Sequence, residues 1–220
     1  MRIININRFA IVALLMCSTA AFAADRVRVA CVGDSITAGV GAKDRRTQTY
    51  PAQLSVLLGD KYDVRNFGVS GIKMTNYKNH KNYAKAKSFE PHIVIIKLGT
   101  NDTKTRKFGS DDNKKAFATS YTAAAEELIK TFQSLKSQPK VYLCTPVPVF
   151  RDRWGINERS VVEDVNPLVA ELSKTMKLPT IDLYKALTGK GKMVPDGVHP
   201  NEHGYKIMAE TIADSLTHSR

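Results

Sequence analysis

The sequence predicts an α/β fold in which a parallel sheet is covered by helices on both faces. Three observations carry that prediction. Short apolar runs alternate along the chain with longer segments of helical period, the signature of strand and helix units wound into a parallel sheet. At 220 residues, with 43% hydrophobic and 25% charged side chains, the chain has the composition of one globular domain with a sizeable core. No internal repeat, low-complexity tract or linker divides it beyond residue 23.

The first stretch stands apart from that pattern. Arg2 and Arg8 precede an apolar run over residues 9–16, and Ala21-Phe22-Ala23 supplies small residues at the positions a signal peptidase reads. Residues 1–23 therefore read as an export signal and residues 24–220 as the folded domain, which predicts a secreted or periplasmic protein with no integral membrane segment after processing. The apolar run is too short to cross a bilayer comfortably as an anchor. Cys17 follows Leu14-Leu15-Met16 in the manner of a bacterial lipoprotein box, but Met16 sits where such boxes carry a small residue.

Strands are expected over residues 27–32, 62–66, 92–97, 140–145 and 180–183, each an apolar run of four to six residues. Between them, the clearest helix spans 112–135, where Phe117, Tyr121, Ala124, Leu128 and Phe132 recur at spacings of three and four and Asp111 and Asp112 fit its N-terminal cap. Further helices are expected near 50–58, 160–176 and 201–216. Pro167 should kink or split the third of these, and Ile207, Met208, Ile212 and Leu216 give the fourth one apolar stripe. The segment 77–88, rich in Lys with Tyr77 and Tyr83 interleaved, reads as an irregular surface excursion.

The formal net charge is +12, of which Arg2 and Arg8 supply two. A basic surface attracts nucleic acid, anionic membrane and acidic glycans alike. The lysines are scattered through helices and loops with no nucleic-acid-binding motif beside them, so solvated faces explain them and no nucleic-acid partner is expected. After Cys17 two cysteines remain, Cys31 and Cys144, and neither has a Cys or His neighbour at zinc-site spacing.

In an open parallel sheet, ligands bind beyond the carboxyl ends of the strands, so the residues just after each strand bear on function first. Gly33-Asp34-Ser35-Ile36 follows the first strand and would hold a serine hydroxyl at a strand-to-helix turn, its N–H near a helix N-terminus. No Gly-Lys-Ser/Thr ending follows, so the turn is not a phosphate loop. Asn66-Phe67-Gly68-Val69-Ser70-Gly71 follows the second strand, with two glycines able to bring a backbone N–H close to a ligand. Gly99-Thr100-Asn101-Asp102 follows the third and sets an amide donor at the sheet edge. Near the C-terminus, Asp196-Gly197-Val198-His199-Pro200 spaces a carboxylate three residues before a histidine. There it can accept from one ring nitrogen while the other faces the cleft. Each block alone is compatible with an inert turn; their conjunction at one edge of one sheet is not.

These four blocks resemble the SGNH hydrolases, also called GDSL esterases, and the resemblance covers the chain from Val27 to Leu216. It implies a three-layer α/β/α sandwich with five parallel strands in the order 2-1-3-4-5. It implies a catalytic triad of Ser35, Asp196 and His199, and an oxyanion hole made by the N–H of Ser35, the N–H of Gly71 and the side-chain amide of Asn101. Gly68 is the rival to Gly71, which is preferred because it lies five residues after Asn66. Ile36 stands where the family name implies Leu, a conservative departure. No metal or organic cofactor is required. In that strand order one strand separates Cys31 from Cys144, a gap of about 10 Å, so free buried thiols are expected in place of a disulfide.

The stretches Lys97-Leu98-Gly99-Thr100-Asn101-Asp102, Tyr142-Leu143-Cys144-Thr145-Pro146-Val147-Pro148 and Ile181-Asp182-Leu183 look like a branch of the family found in exported bacterial carbohydrate O-acetylesterases. The substrate this implies is an acetylated glycan, with Trp154, flanked by Arg151 and Arg153 in a loop after the fourth strand, placed to stack on a sugar ring. A lysophospholipase or lipase with the same triad is the alternative within the chemistry. Outside it stand a metal-dependent hydrolase using Asp196, His199 and His203, opposed by the intervening Pro200 and the lack of further ligands, and a non-catalytic glycan-binding module, which would need no triad.

Overall fold

A computed structural model describes residues 26–104 and 111–217. The expected signal segment lies outside the described residues. Five strands, β1 (Val27–Gly33), β2 (Tyr62–Gly68), β3 (Ile93–Lys97), β4 (Lys140–Cys144) and β5 (Thr180–Ile181), form one sheet in the order β2-β1-β3-β4-β5, and every pairing is parallel. The helices are α1 (Ser35–Ala38), α2 (Tyr50–Leu58), α3 (Lys81–Ser88), α4 (Asp111–Gln133), α5 (Glu158–Ser160), α6 (Asn166–Met176), α7 (Leu183–Leu187) and α8 (Glu202–Thr217). This is the expected three-layer α/β/α sandwich.

The layers follow from period-two burial in strands that are apolar on both sides. Ala30, Val32, Val94, Ile96, Val141 and Leu143 face one core, which Tyr121, Leu128 and Phe132 of α4 and Val169 and Leu172 of α6 complete. The alternate residues Val29, Cys31, Ile95, Tyr142 and Cys144 face a second core under α2, α7 and α8. Each fully buried Val, Leu, Ile or Phe contributes about 1.5–3 kcal/mol. Met208, Ile212 and Leu216 bring the predicted α8 stripe into the second core, with Ile207 at its margin. Cys31 and Cys144 are free and buried there, one strand apart, and burial pushes both thiols up, that of Cys144 to about 12.

Two local expectations need correction. The segment 77–88 is not irregular: a 3-10 turn over Met74–Asn79 leads into α3, whose Asn82 N–H is capped by the His80 ring. Tyr77 is fully buried and donates from its hydroxyl to the Phe67 carbonyl at 2.8 Å. Lysines at the intervening positions hid the apolar spacing of Met74, Tyr77, Tyr83 and Ala86. The helix expected over 160–176 is, as expected, interrupted at Pro167, which sits in the first turn of α6 directly after a π-helical stretch over Val161–Val165. A wider turn ahead of a proline takes up the hydrogen bond that its missing N–H cannot make. The fifth strand stops at Ile181 because Asp182 caps α7, accepting the Lys185 N–H at 2.9 Å. Finally, α4 begins at Asp111, and the cap expected there borders residues 105–110, which lie outside the described residues.

Candidate catalytic site

The strand β1 ends at Gly33, and the chain turns at once into the four-residue α1. Asp34 drives the turn by accepting the Ile36 N–H at 2.9 Å as the N-cap, and Gly39 ends the helix in the left-handed region at φ 91°. Gly33 admits no side chain, since a Cβ there would lie 2.0 Å from Thr37 Oγ1 and 2.7 Å from the Lys97 carbonyl oxygen. Ser35 is thereby the first residue of α1, where a backbone N–H has no intrahelical acceptor.

The loop before α8 meets this turn. His199 Nε2 is 3.0 Å from Ser35 Oγ, and His199 Nδ1 is 2.8 Å from Asp196 Oδ2. The other carboxylate oxygen, Asp196 Oδ1, accepts the Val198 N–H at 2.8 Å and the His199 N–H at 2.7 Å, which fixes the loop that carries the ring. Gly197, at φ 90°, accepts the Phe150 N–H at 2.8 Å and packs against Arg151. Burial works to raise the Asp196 carboxyl, but the hydrogen bonds from His199 and Val198 outweigh it and hold the group below the usual carboxylate range. A hydroxyl bonded to an imidazole whose far nitrogen bonds a carboxylate is the arrangement in which the ring can take the hydroxyl proton.

Opposite this chain, Asn101 is 1% exposed and its side-chain Nδ2 is buried with no hydrogen-bond partner among the described residues. A buried amide left unpaired is costly unless a ligand completes it. Gly71 has a left-handed φ of 78° and open space where a Cβ would stand, whereas a Cβ on Gly68 would lie 2.2 Å from the Ala38 nitrogen. Gly68 thus lets β2 pack on α1, and Gly71 is the glycine that reaches the cleft. Ser35, Gly71, Asn101, Trp154 and His199 line one pocket of about 250 Å³.

Trp154 enters that pocket on a hairpin. Arg153 and Ile156 exchange backbone hydrogen bonds of 3.0 and 2.8 Å, and the two residues between them, Trp154 at φ 53° and Gly155 at φ 78°, both occupy the left-handed region, as a type I′ turn requires. Holding a tryptophan there costs on the order of 1–3 kcal/mol, and such strain concentrates at functional sites. Its ring centroid lies 5.4 Å from that of His199, the Arg153 guanidinium stacks 4.4 Å from its centroid, and it remains 54% exposed.

All six residues singled out from the sequence, Ser35, Gly71, Asn101, Trp154, Asp196 and His199, therefore converge at the carboxyl edge of the sheet. His203 does not join them: it lines a separate pocket with Gln48 and Glu202, and among the described residues no group of three or more His, Cys, Asp or Glu is gathered to hold a metal. No helix of the described residues is long and apolar enough to cross a membrane. The sequence reading missed Lys97 and Asp102, both buried directly behind the cleft, and Ser70, Lys104 and Ile156 along its wall. The signal available for Lys97 was its position, the one charged residue closing an otherwise apolar strand.

Residues 31–207 match the GDSL-like lipase/acylhydrolase family. An acetylxylan esterase of Xylanibacter ruminicola is 40% identical over 208 residues, covering 87% of this chain and 43% of that protein. A multidomain esterase of Ruminococcus flavefaciens is 22% identical over 165 residues, 68% of this chain and 20% of its own length. The chain thus spans less than half the length of these curated relatives. Among solved structures, a carbohydrate acetylesterase from Sinorhizobium meliloti superposes with a TM-score of 0.69 at 22% identity, covering 88% of this chain and 99% of that one.

Proposed function

The chain belongs to the GDSL-like lipase/acylhydrolase family, and from that premise we propose that it is a serine esterase that removes acetyl groups from a carbohydrate through an acyl-enzyme. One observation carries the proposal: the hydrogen-bonded series Ser35, His199, Asp196 opens onto the same pocket as the amide of Asn101, which has no partner among the described residues. A proton acceptor for the hydroxyl and a donor for a developing oxyanion are the two things acyl transfer needs.

In this reading Ser35 Oγ attacks the ester carbonyl carbon while His199 Nε2 takes its proton. The carbonyl oxygen becomes an oxyanion facing the N–H of Ser35, the N–H of Gly71 and Asn101 Nδ2. Collapse breaks the bond to the sugar oxygen, which leaves as the alcohol with the proton from His199, and acetyl-Ser35 remains. Water then attacks the acyl carbon, giving a proton to His199, which returns it to Ser35 Oγ as the bond from Oγ to the acyl carbon breaks, and acetic acid departs and ionises to acetate. Asp196 holds the ring and stabilises its charged form throughout. Every step uses groups already in place.

The substrate class rests on the names of the relatives together with a small pocket beside a partly exposed tryptophan. Screening the purified protein for acetate release across acetylated xylan, mannan and pectin tests it: release from at least one glycan is expected, and hydrolysis of lipid esters alone would point to the lysophospholipase alternative. Export rests on residues 1–23. Sequencing the N-terminus of the protein recovered outside the cytoplasm should begin at Ala24, and a retained Met1 would contradict it.

A further inference from the structure

Lys97 closes β3 and is the Cα partner of Gly33 at the last rung between β1 and β3. From this rung two turns depart, one carrying Asp34 and Ser35, the other Thr100 and Asn101. The Lys97 side chain is 0% exposed. Its Nζ donates to Asp34 Oδ1 and Oδ2 at 3.2 and 3.0 Å and to Thr100 Oγ1 at 2.6 Å, so each of its three donors has an acceptor. Asp34 Oδ1 in turn holds the Ile36 N–H, and the Thr100 carbonyl accepts the Thr103 hydroxyl at 2.8 Å.

The acceptors are the residues directly before Ser35 and directly before Asn101. We infer that Lys97 is a positioning residue: by joining the Asp34 and Thr100 turns through one buried cation, it fixes the Ser35 N–H and the Asn101 amide relative to each other as a single oxyanion-binding unit. This rests on the acyl-enzyme reading above. Stability gives little reason to keep such a group, because an apolar replacement of a buried ion pair is often neutral or stabilising. Geometry does give one, since donors aimed at a developing charge lose their effect when displaced by a fraction of an ångström to an ångström.

Removing Lys97 alone would strand the Asp34 carboxylate in the core, so the informative change is the double variant Asp34→Asn/Lys97→Met, which removes both charges and keeps an N-cap acceptor for Ile36. Alongside it, Thr100→Val leaves the ion pair intact and deletes only the third acceptor. Three quantities decide the matter: kcat and KM with p-nitrophenyl acetate, the melting temperature, and the inhibition constant of a trifluoromethyl ketone. The ketone forms a bond from its carbonyl carbon to Ser35 Oγ, passes the hydroxyl proton to His199 and leaves an oxyanion in the site.

For the double variant we expect a melting point close to that of the unsubstituted protein, a kcat at least about tenfold lower, a KM changed by less than about threefold, and ketone affinity falling in step with kcat. Thr100→Val should show the same pattern at about three- to tenfold, and it decides alone if the double variant does not fold. A kcat and ketone affinity equal to those of the unsubstituted protein in whichever variant folds would reduce Lys97 to a charge partner and overturn the inference. A loss confined to the melting point would do the same. Ser35→Ala, assayed in parallel, separates this from the parent reading: if it stays active the reading itself has failed, whereas if it is inactive the variants speak to Lys97.

Discussion

His199 Nε2 lies 3.0 Å from Ser35 Oγ although 164 residues separate the two in sequence. The contact exists because the turn after β1 and the loop before the last helix both lie at the carboxyl edge, and because Asp196 holds that loop with both of its oxygens. The hydroxyl, ring and carboxylate are thus aligned in advance, and across the pocket the Asn101 amide has no partner among the described residues.

That orphan amide makes the first prediction. Losing one preorganised oxyanion donor typically lowers kcat by about 10² to 10³ with modest effect on binding. Asn101→Ala should behave this way in steady-state kinetics with p-nitrophenyl acetate. A rise in KM with kcat unchanged would make Asn101 a contact to the ground-state substrate instead.

Asp102 makes the second. Burial raises its carboxyl to about 7, against the opposing hydrogen bond from the Met74 N–H. Between the ordinary carboxylate range near 4 and that value, the folded chain keeps a proton that the unfolded chain has lost. The associated stability is therefore complete in acid and is lost as the pH rises through about 7. Asp102→Asn stays neutral and still offers Met74 an acceptor oxygen, so its melting point should climb relative to the unsubstituted protein from pH 4 to pH 8. A difference independent of pH would show that Asp102 does not titrate in that window.

The sequence made the sheet legible because its inner strands β1, β3 and β4 are buried on both faces and read as apolar runs, and it made Ser35, Gly71 and Asn101 legible because they follow β1, β2 and β3 closely, whereas Asp196 and His199 were legible from their own spacing before α8. Lys97 escaped notice because its burial depends on Asp34, 63 residues earlier, and on Thr100, neither of which marks the run that Lys97 ends. The turn and helix from Met74 to Ser88 were obscured by lysines lying between their buried residues. Asp182 continues the run of β5 in sequence, and only its side-chain cap on α7 takes it out of the strand. In each case a side chain's distant or backbone partner decided the outcome, and periodicity does not encode partners.

Trp154 makes the third prediction. A half-exposed indole held beside the His199 ring in a strained turn offers a face to a sugar bound at the cleft. Trp154→Ala should raise KM for an acetylated oligosaccharide by about 3- to 10-fold, the size of one aromatic contact, and leave KM for ethyl acetate essentially unchanged. Equal effects on both substrates would assign Trp154 to packing over the site.

Acyl length makes the fourth. Each buried methylene contributes about 0.8 kcal/mol, so a groove for six further carbons would favour octanoyl over acetyl esters by several kcal/mol. The pocket of about 250 Å³ also holds Lys104 and Ser70 in its wall, and Val147, Val149 and Phe150 are not among its lining residues: Val147 and Val149 are buried, and Phe150 lies beside Gly191. p-Nitrophenyl acetate should therefore be cleaved at least about tenfold more efficiently than the octanoate, judged by kcat/KM. An octanoate preference would favour the lipase alternative and leave the catalytic residues where they are.

The central claim is that Ser35 is the nucleophile of an acetylesterase, and one comparison tests it most directly: the initial rate of acetate release from an acetylated xylan by the protein and by its Ser35→Ala variant. Deleting one buried hydroxyl oxygen should leave the melting point within a few degrees and reduce the rate to the uncatalysed background. A folded Ser35→Ala protein that still releases acetate at more than about a tenth of the original rate, against the loss of about 10⁶ in kcat that deleting a triad serine can cause, would contradict the account.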